Sequence, residues 1–532
     1  MLMTAAGKYQ RLRAPQLDGA IVCDPPQHQL PGLIQSNHKR LLAETPKIWG
    51  QPLAELAAKA RDEILTAARQ YTSSYTNMAE HPDKDCPLVF LGHQPEFIHP
   101  GVWLKNFAAA SLAKANGGIA INLIIDSDLC RKSAIQVPTG TAAKPYLDTI
   151  AYDKHDRELP FEESEILRSD LWESFGHRTT KSLRPFVAHP IVSSWWAKSA
   201  IQSRSTNNLG LALAQARHLL EIEWGVKNWE LPQSAVCQTE SFRRFATNML
   251  TEAEQLRDAY NDSLDEYRAT HRLRNLAQPM PNLIKTEDWI ETPFWIWTQS
   301  RPRRSALFVL KKKKTLLLSN REDWQGELPQ NPDSALDQLA TWETQGVKLR
   351  TRALATTFYT RLLLADLFIH GIGGSKYDQV TDTICERFWG IHLPPYATLS
   401  GTLRLPIEHP SIAPHQSREL RQKLRALKYH PEKFLHHPKL KNTDPRQFTE
   451  WISKKDRWVK TAKTHANAAQ RHQAITTANL AMQPWVAKLQ SSWELELIRC
   501  LEQSRVNQLL ESREYPFCLF PPKQLHDFLL DF

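Results

Sequence analysis

Hydrophobic and polar positions change their period twice between Leu88 and Ile125, and that change predicts a compact unit. Leu88-Val89-Phe90-Leu91 is a continuous apolar run that breaks at Gly92 into the polar segment His93-Gln94-Pro95-Glu96-Phe97-Ile98-His99-Pro100-Gly101. This reads as a strand entering a loop. From Val102 to Asn116 the apolar residues Trp103, Phe107, Ala110, Leu112 and Ala113 return at helical spacing and stop at Gly117-Gly118. Ile119 to Ile125, apolar except for Asn122, is a second predicted strand. Runs apolar on both faces belong to parallel strands covered by helices. A right-handed crossover would then bring Gly92 and the acidic end Asp126-Ser127-Asp128 to one carboxyl edge, where open α/β sheets bind ligands.

The same reading extends along the chain. The first eighty or so residues look helical and accessory, with an amphipathic segment over Leu53 to Tyr71 behind Pro25-Pro26, Pro31 and Pro52. Short strands are predicted at Ala134 to Val137 and Tyr146 to Tyr152. Helices are predicted at Glu162 to Trp172 and Leu209 to Trp224, the second preceded by a polar linker, Ser203 to Asn208. A long charged helix or helix pair runs from Glu240 to His271 and ends before Pro279-Met280-Pro281. Thr292 to Leu318 predicts an antiparallel hairpin around the basic turn Lys311 to Lys314.

A second apolar run, Leu362 to Ile369, follows Arg350, Arg352 and Arg361 and ends in His370-Gly371-Ile372-Gly373-Gly374-Ser375-Lys376. Glycines before the helical pattern of Tyr377 to Phe388 suit a loop that cradles a phosphate or carboxylate. The spacing is not that of a P-loop, and a plain turn with a surface lysine is the competing reading. Beyond Ser417 the composition shifts to helix formers rich in Lys and Arg. A long segment from near Pro445 to Met482 carries a narrow seam (Phe448, Ile452, Val459, Ala462, Ala466, Ala469), and Pro484 marks the turn into Trp485 to Leu510. The expectation is an antiparallel helical hairpin that dimerises or packs back on the core, with Trp451, Trp458 and Trp493 in packing roles.

Composition and charge change this picture little. The chain has 532 residues, 41% hydrophobic and 23% charged, as in a globular protein of two or three domains. Met1 to Arg13 has no apolar core of signal-peptide length, and no later run is long enough to span a membrane, so a cytoplasmic protein is expected. The seven cysteines form no C-x-x-C pair and read as reduced thiols. A net charge of +10 raises the question of nucleic acid, but the basic residues fall on turns and helix faces without a recognition motif. Nucleic acid is therefore not expected as the partner. His430, His436 and His437 are assigned to a loop, since Pro431 and Pro438 interrupt any metal-ligand spacing.

The succession Leu91-Gly92-His93-Gln94-Pro95 before a long helix, an apolar strand with an acidic end, a distant Gly373-Gly374 and a closing Phe517-Cys518-Leu519-Phe520-Pro521 resembles the bacillithiol-biosynthesis cysteine-adding enzyme family. The resemblance implies a Rossmann-like core related to nucleotidyltransferases and class I synthetases, and a coiled-coil element used for dimerisation. It also implies addition of an amino acid, cysteine in that family, to an amine or sugar-derived acceptor. Three departures stand at the residues of interest. His93 occupies the place of the family's first glutamine, Asp126-Ser127-Asp128 replaces an acidic and histidine cluster, and Gly373-Gly374-Ser375-Lys376 replaces a G-G-P-x-E loop.

Taken together, these readings predict an α/β fold: an N-terminal helical accessory segment (1–80), a Rossmann-like parallel sheet core (81–415) and a helical coiled-coil region (416–532). His93, Asp126 and Asp128 are the candidate catalytic residues, the two aspartates serving a substrate amine or magnesium, or else capping a helix. Gly92, Gln94, His99, Gly101, Gly373, Gly374, Ser375 and Lys376 are the candidate ligand-binding residues, with imidazoles and Lys376 donating to phosphates. The expected cofactor is ATP or another nucleotide with magnesium; the expected partners are a small-molecule substrate and a second copy through the helical arm. The alternatives are a non-catalytic nucleotide or phosphosugar binder, and a structural protein acting through that arm.

Overall fold

The computed structural model describes residues 12–43, 47–48, 50–77, 85–409, 415–434, 436–440 and 448–532. Most of Met1 to Arg13, and Pro445, lie outside them. The chain divides into two compact units, one made of Met1–Val137, Asp148–Pro406 and Arg513–Phe532, the other of Pro138–Leu147 and Ile407–Ser512.

The first unit is mixed α/β around a six-stranded sheet. Its strands are β1 (Ile21–Asp24), β2 (Leu88–His93), β3 (Ile119–Ile124), β4 (Trp229–Pro232), β5 (Leu367–His370) and β6 (Ala397–Gly401). Their spatial order is β1-β6-β5-β2-β3-β4, parallel throughout except for β1, which pairs antiparallel with β6 at the edge. The N-terminal segment thus belongs to the sheet-bearing unit and supplies an edge strand to it. The C-terminal residues Arg513–Phe532 also return to this unit.

Alternation along the strands assigns the two faces. Phe90 lies in register with Phe368 and Ile121, and all three share one core with Ala60 and Ile64 of α1 (Leu53–Ser73) and with Val380 and Ile384 of α4 (Ile372–Trp389). On the other face Asn122 and Glu230 are in register. They meet Arg217 of α3 (Leu209–Glu223), whose neighbour Glu221 accepts from Trp103 and Asn106 of α2 (Pro100–Ala115). The one polar residue in the β3 run is therefore the anchor of a buried network, because a carboxamide inside a sheet must find partners.

The predicted hairpin at Thr292 to Leu318 is part of a larger antiparallel sheet of Trp289–Thr298, Arg301–Lys311, Thr315–Ser319 and Gln325–Pro329, with Val347–Thr351 beside the first. Glu162 to Trp172 is not one helix: a short turn at Phe161–Glu163 precedes a helix over Ser169–Leu183, since Glu162 turns inward to Arg350. The predicted linker Ser203 to Asn208 is mostly helix, within Val192–Thr206.

In the second unit, helices His415–Tyr429 and Thr449–Lys460 pack against the long α5 (Ala468–Leu510) around Leu420, Leu427, Phe448, Met482, Val486, Leu489 and Trp493. The expected hairpin turn at Pro484 does not occur: α5 runs through it. Pro484 is exposed, as is Leu480 one turn earlier, so the carbonyl that proline leaves without an amide faces water. The predicted seam is likewise interrupted, because Ala462 and Ala466 fall in the exposed connection before α5. All seven cysteines are free thiols, and among the described residues no helix is long and apolar enough to cross a membrane.

Candidate active site

Two adjacent parallel strands, β2 and β5, end side by side, with Leu91 opposite Ile369. From β2 the chain passes to α2 on one face of the sheet, and from β5 to α4 on the other. The helices therefore diverge at neighbouring strand ends. In an open parallel sheet this leaves a crevice at the carboxyl edge, the usual place for a ligand. Gly92-His93-Gln94 and Gly371 to Lys376, some 280 residues apart in sequence, both lie on this edge.

The glycine segment is not a loop. Gly371 is the N-cap and Ile372 begins the helix, which places Gly373, Gly374, Ser375 and Lys376 in its first turn. Ser375 N already bonds Gly371 O, while the amides of Ile372, Gly373 and Gly374 precede the first intrahelical acceptors. A Cβ at Gly373 would meet open space, but one at Gly374 would stand 2.9 Å from Nδ1 of His370. Ser375 is buried, with its carbonyl accepting from Tyr396 Oη at 3.0 Å. Lys376 is exposed and makes no ion pair among the described residues.

His370 was not singled out in the sequence. It is buried at the end of β5, and its Nε2 lies 2.8 Å from Asp378 Oδ2. Asp378 also accepts from Arg361 at 2.6 Å, and Arg361 stacks over Tyr396 at 4.7 Å. Burial works to raise the Asp378 carboxyl, yet Arg361 and His370 outweigh it and hold it well below the usual carboxylate range. Burial lowers His370, partly offset by Asp378. A neutral ring with Nε2–H on the aspartate leaves Nδ1 as an acceptor beside Gly374.

On the opposite face His93 is buried, with Nδ1 3.1 Å from Gln94 O and Nε2 without a hydrogen bond. Burial, then Arg217 and Lys105, push its pKa far down. Lys105 of α2, only 4% exposed, donates to Gly92 O at 3.1 Å and pairs with no carboxylate among the described residues. Burial lowers its pKa to about 8.

Other expected site residues have internal tasks. Gln94 Nε2 donates to Asp128 Oδ2 at 3.0 Å, which ties the ends of β2 and β3 together. Asp128 also accepts from Leu129 N and from Arg304, whose guanidinium lies 4.5 Å from the ring centre of Trp295. These bonds outweigh burial and lower the Asp128 pKa. Asp126 is buried with both oxygens on Ser234, one on its amide and one on its hydroxyl, so it caps the short helix Gln233–Val236. Burial raises its pKa. With the oxygens so occupied, the pair does not fit a magnesium ion, and no His, Cys, Asp and Glu cluster among the described residues suits a metal.

His99 caps α2, its Nδ1 accepting from Gly101 N at 3.1 Å, and burial followed by Arg513 and Lys105 lowers its pKa to about 4. The α2 terminus is thus closed by its own cap. Gly101 is a glycine for packing: a Cβ there would lie 2.0 Å from Gly401 O and 2.8 Å from Arg513 Nη2. At Gly92 a Cβ would press on Leu123 at 3.3 Å. A separate cleft of about 750 Å³ is lined by Glu252, Glu254, Asp258 and Asp262 against Lys311 and Arg387, an acidic wall unsuited to an anion.

Fold and edge define a mixed α/β protein with a largely parallel sheet, two adjacent strand ends of which lead into helices on opposite faces. Comparison of the chain with models of known protein families gives no match, and a search of curated proteins likewise finds none.

Proposed function

We propose that the chain is a ligase of the cysteine-adding type with a Rossmann-like, nucleotidyltransferase or class I synthetase-like core. It joins an amino acid, cysteine in the first instance, to an amine or sugar-derived acceptor through a nucleotide-activated carboxyl group held between β2 and β5. The observation that carries this reading is the adjacency of the two strand ends with α2 and α4 leaving on opposite faces. The open first turn of α4 offers amides to phosphate oxygens, and Lys376 adds a mobile charge. His370, oriented by Asp378, is the base that accepts the acceptor amine's proton at Nδ1.

The binding-only reading has its own support, since Asp126 and Asp128 are both engaged within the chain. One experiment separates the two: thermal shift with ATP, followed by amino-acid-dependent exchange of pyrophosphate into ATP. A shift with exchange supports the ligase; a shift without exchange for any amino acid supports the binder; neither sinks both. A coiled-coil dimer through α5 belongs to the same proposal, because Leu495, Ile498 and Leu501 are exposed on that helix. Sedimentation of the full chain as a monomer at micromolar concentration would remove that part.

A further inference from the structure

A lysine buried without a counter-ion is the least expected feature of the carboxyl edge. An ammonium taken out of water is unfavourable unless something negative meets it, and natural proteins pair such groups. Lys105 uses one of its three donors on Gly92 O. Around it stand His93 at the end of β2, His370 at the end of β5 and His99 at the start of α2; its charge lowers all three. Arg513 also stands beside His99, its Nη2 donating to Ser400 Oγ at 3.0 Å and its Nε buried without a hydrogen bond. His99 and Arg513 share one acidic partner, Glu514, 3.6 Å from His99 Nε2 and 3.5 Å from Arg513 Nε, and its side chain is 68% exposed. The carboxylates deeper in this edge are engaged elsewhere: Asp378 with Arg361 and His370, Asp128 with Arg304 and Gln94, and Asp126 with Ser234.

We propose that Lys105, with Arg513 and His99 beside it, forms an anion subsite on the α2 side of the crevice, distinct from the first turn of α4, that takes a compact carboxylate or phosphate group of the substrate. The inference rests on reading this edge as the ligand site, but not on the ligase chemistry. Lys105 and the Nε of Arg513 are both held away from water, where a charge-assisted hydrogen bond is strongest. Of the neutral imidazoles only His99 keeps an N–H outside the chain's own short hydrogen bonds, on Nε2, because its Nδ1 accepts from Gly101 N; His93 spends its N–H on Gln94 O and His370 on Asp378. The subsite would select a ligand carrying a second negative group in addition to any phosphate held by α4.

The test is calorimetric titration of the full chain at pH 7 with inorganic phosphate and, separately, with malonate, for wild type, Lys105→Met, Lys105→Arg and Lys376→Met. Wild type is expected to bind at least one anion, and the preferred one tells a phosphate ester from a carboxylate. Lys105→Met should weaken it by about tenfold or more, and Lys105→Arg should keep most of the affinity. Affinity should also fall by about tenfold per pH unit above about pH 8, as Lys105 loses its proton. If wild type binds neither anion, or if Lys105→Met and Lys105→Arg bind as wild type does, the subsite is overturned. If ATP binds and depends on Lys376 while the Lys105 variants change nothing, the crevice reading stands and the subsite falls. Anion binding lost in Lys105→Met with no response to ATP gives the reverse. Far-ultraviolet circular dichroism checks each variant, and Lys105→Arg decides should Lys105→Met fail to fold.

Discussion

Replacing Lys105 by methionine should stabilise the ligand-free protein. Burial lowers this amine from 10.5 to about 8. At about 1.4 kcal/mol per pKa unit, a displacement of roughly 2.5 units amounts to about 3.5 kcal/mol of unfavourable free energy in the folded state. Methionine matches the stem in length and removes the charge, but it leaves Gly92 O without that donor, which costs about 1 kcal/mol. The net gain is about 2.5 kcal/mol at pH 7. The sign with pH follows from the lowered folded pKa. Below about pH 8 the amine is charged in both states and the full burden is present. Between about 8 and 10.5 the unfolded chain holds the proton more tightly than the folded one, so wild-type stability rises with pH. Urea unfolding followed by tryptophan fluorescence, run from pH 7 to 10, should show the variant ahead at pH 7 and its lead closing toward pH 10. A variant less stable at pH 7, or a lead that does not change with pH, would refute the reasoning, because it would mean that the ammonium is already compensated within the fold.

Breaking the pair at the other strand end should have the opposite effect. Asp378→Asn leaves His370 beside a neutral amide and Arg361 with Asp382 as its one remaining carboxylate partner, and should cost about 3 kcal/mol in urea unfolding. Among the glycines, Gly101→Ala forces a methyl against the carbonyl of Gly401 and should cost about 3 kcal/mol or more, whereas Gly373→Ala, in a helix and facing open space, should gain about 0.5–1 kcal/mol; thermal melts of the two variants should move in opposite directions. Pro484→Ala should stabilise the second unit by about 1–3 kcal/mol, read as a later loss of helical ellipticity, since it restores the amide missing within α5.

How much of this was legible depends on which physical signal each feature leaves. The strand, helix and strand of β2, α2 and β3 were readable because continuous apolar runs and a 3.6-residue period differ sharply, and Gly117 punctuates them. The sequence pattern around the first turn of α4 suggests a loop because glycine disfavours helix interiors, yet at an N-terminus the open amides and close approach to His370 favour it. Pro484 misled for a related reason: proline breaks a helix only where the lost bond cannot be replaced, and an exposed position lets water replace it. The site partners Arg217, Glu221, Glu230, Arg361 and Asp378 come from distant elements, and no local spacing announces such meetings. Lys105 and Asn106 did leave a signal. They stand in the middle of the run, flanked by Trp103, Leu104, Phe107 and Ala108, where the helix is apolar on nearly every side and therefore buried, whereas Lys114 falls in the exposed last turn.

That rule also explains why the edge has an excess of positive charge. A sheet end covered by α2 on one face and α4 on the other keeps water from the groups between them, so each ionised carboxylate there needs a partner. Asp378 has Arg361, Asp128 has Arg304, and Asp126 has the donors of Ser234. With those pairs closed, Lys105 meets no carboxylate among the described residues and Arg513 meets the mostly exposed Glu514, and burial and then Lys105 lower the three imidazoles near it. An anion entering between β2 and β5 would remove part of that repulsion and raise the proton affinity of Lys105 and the imidazoles together. Binding at the proposed subsite would therefore be coupled to proton uptake, chiefly through the destabilised lysine.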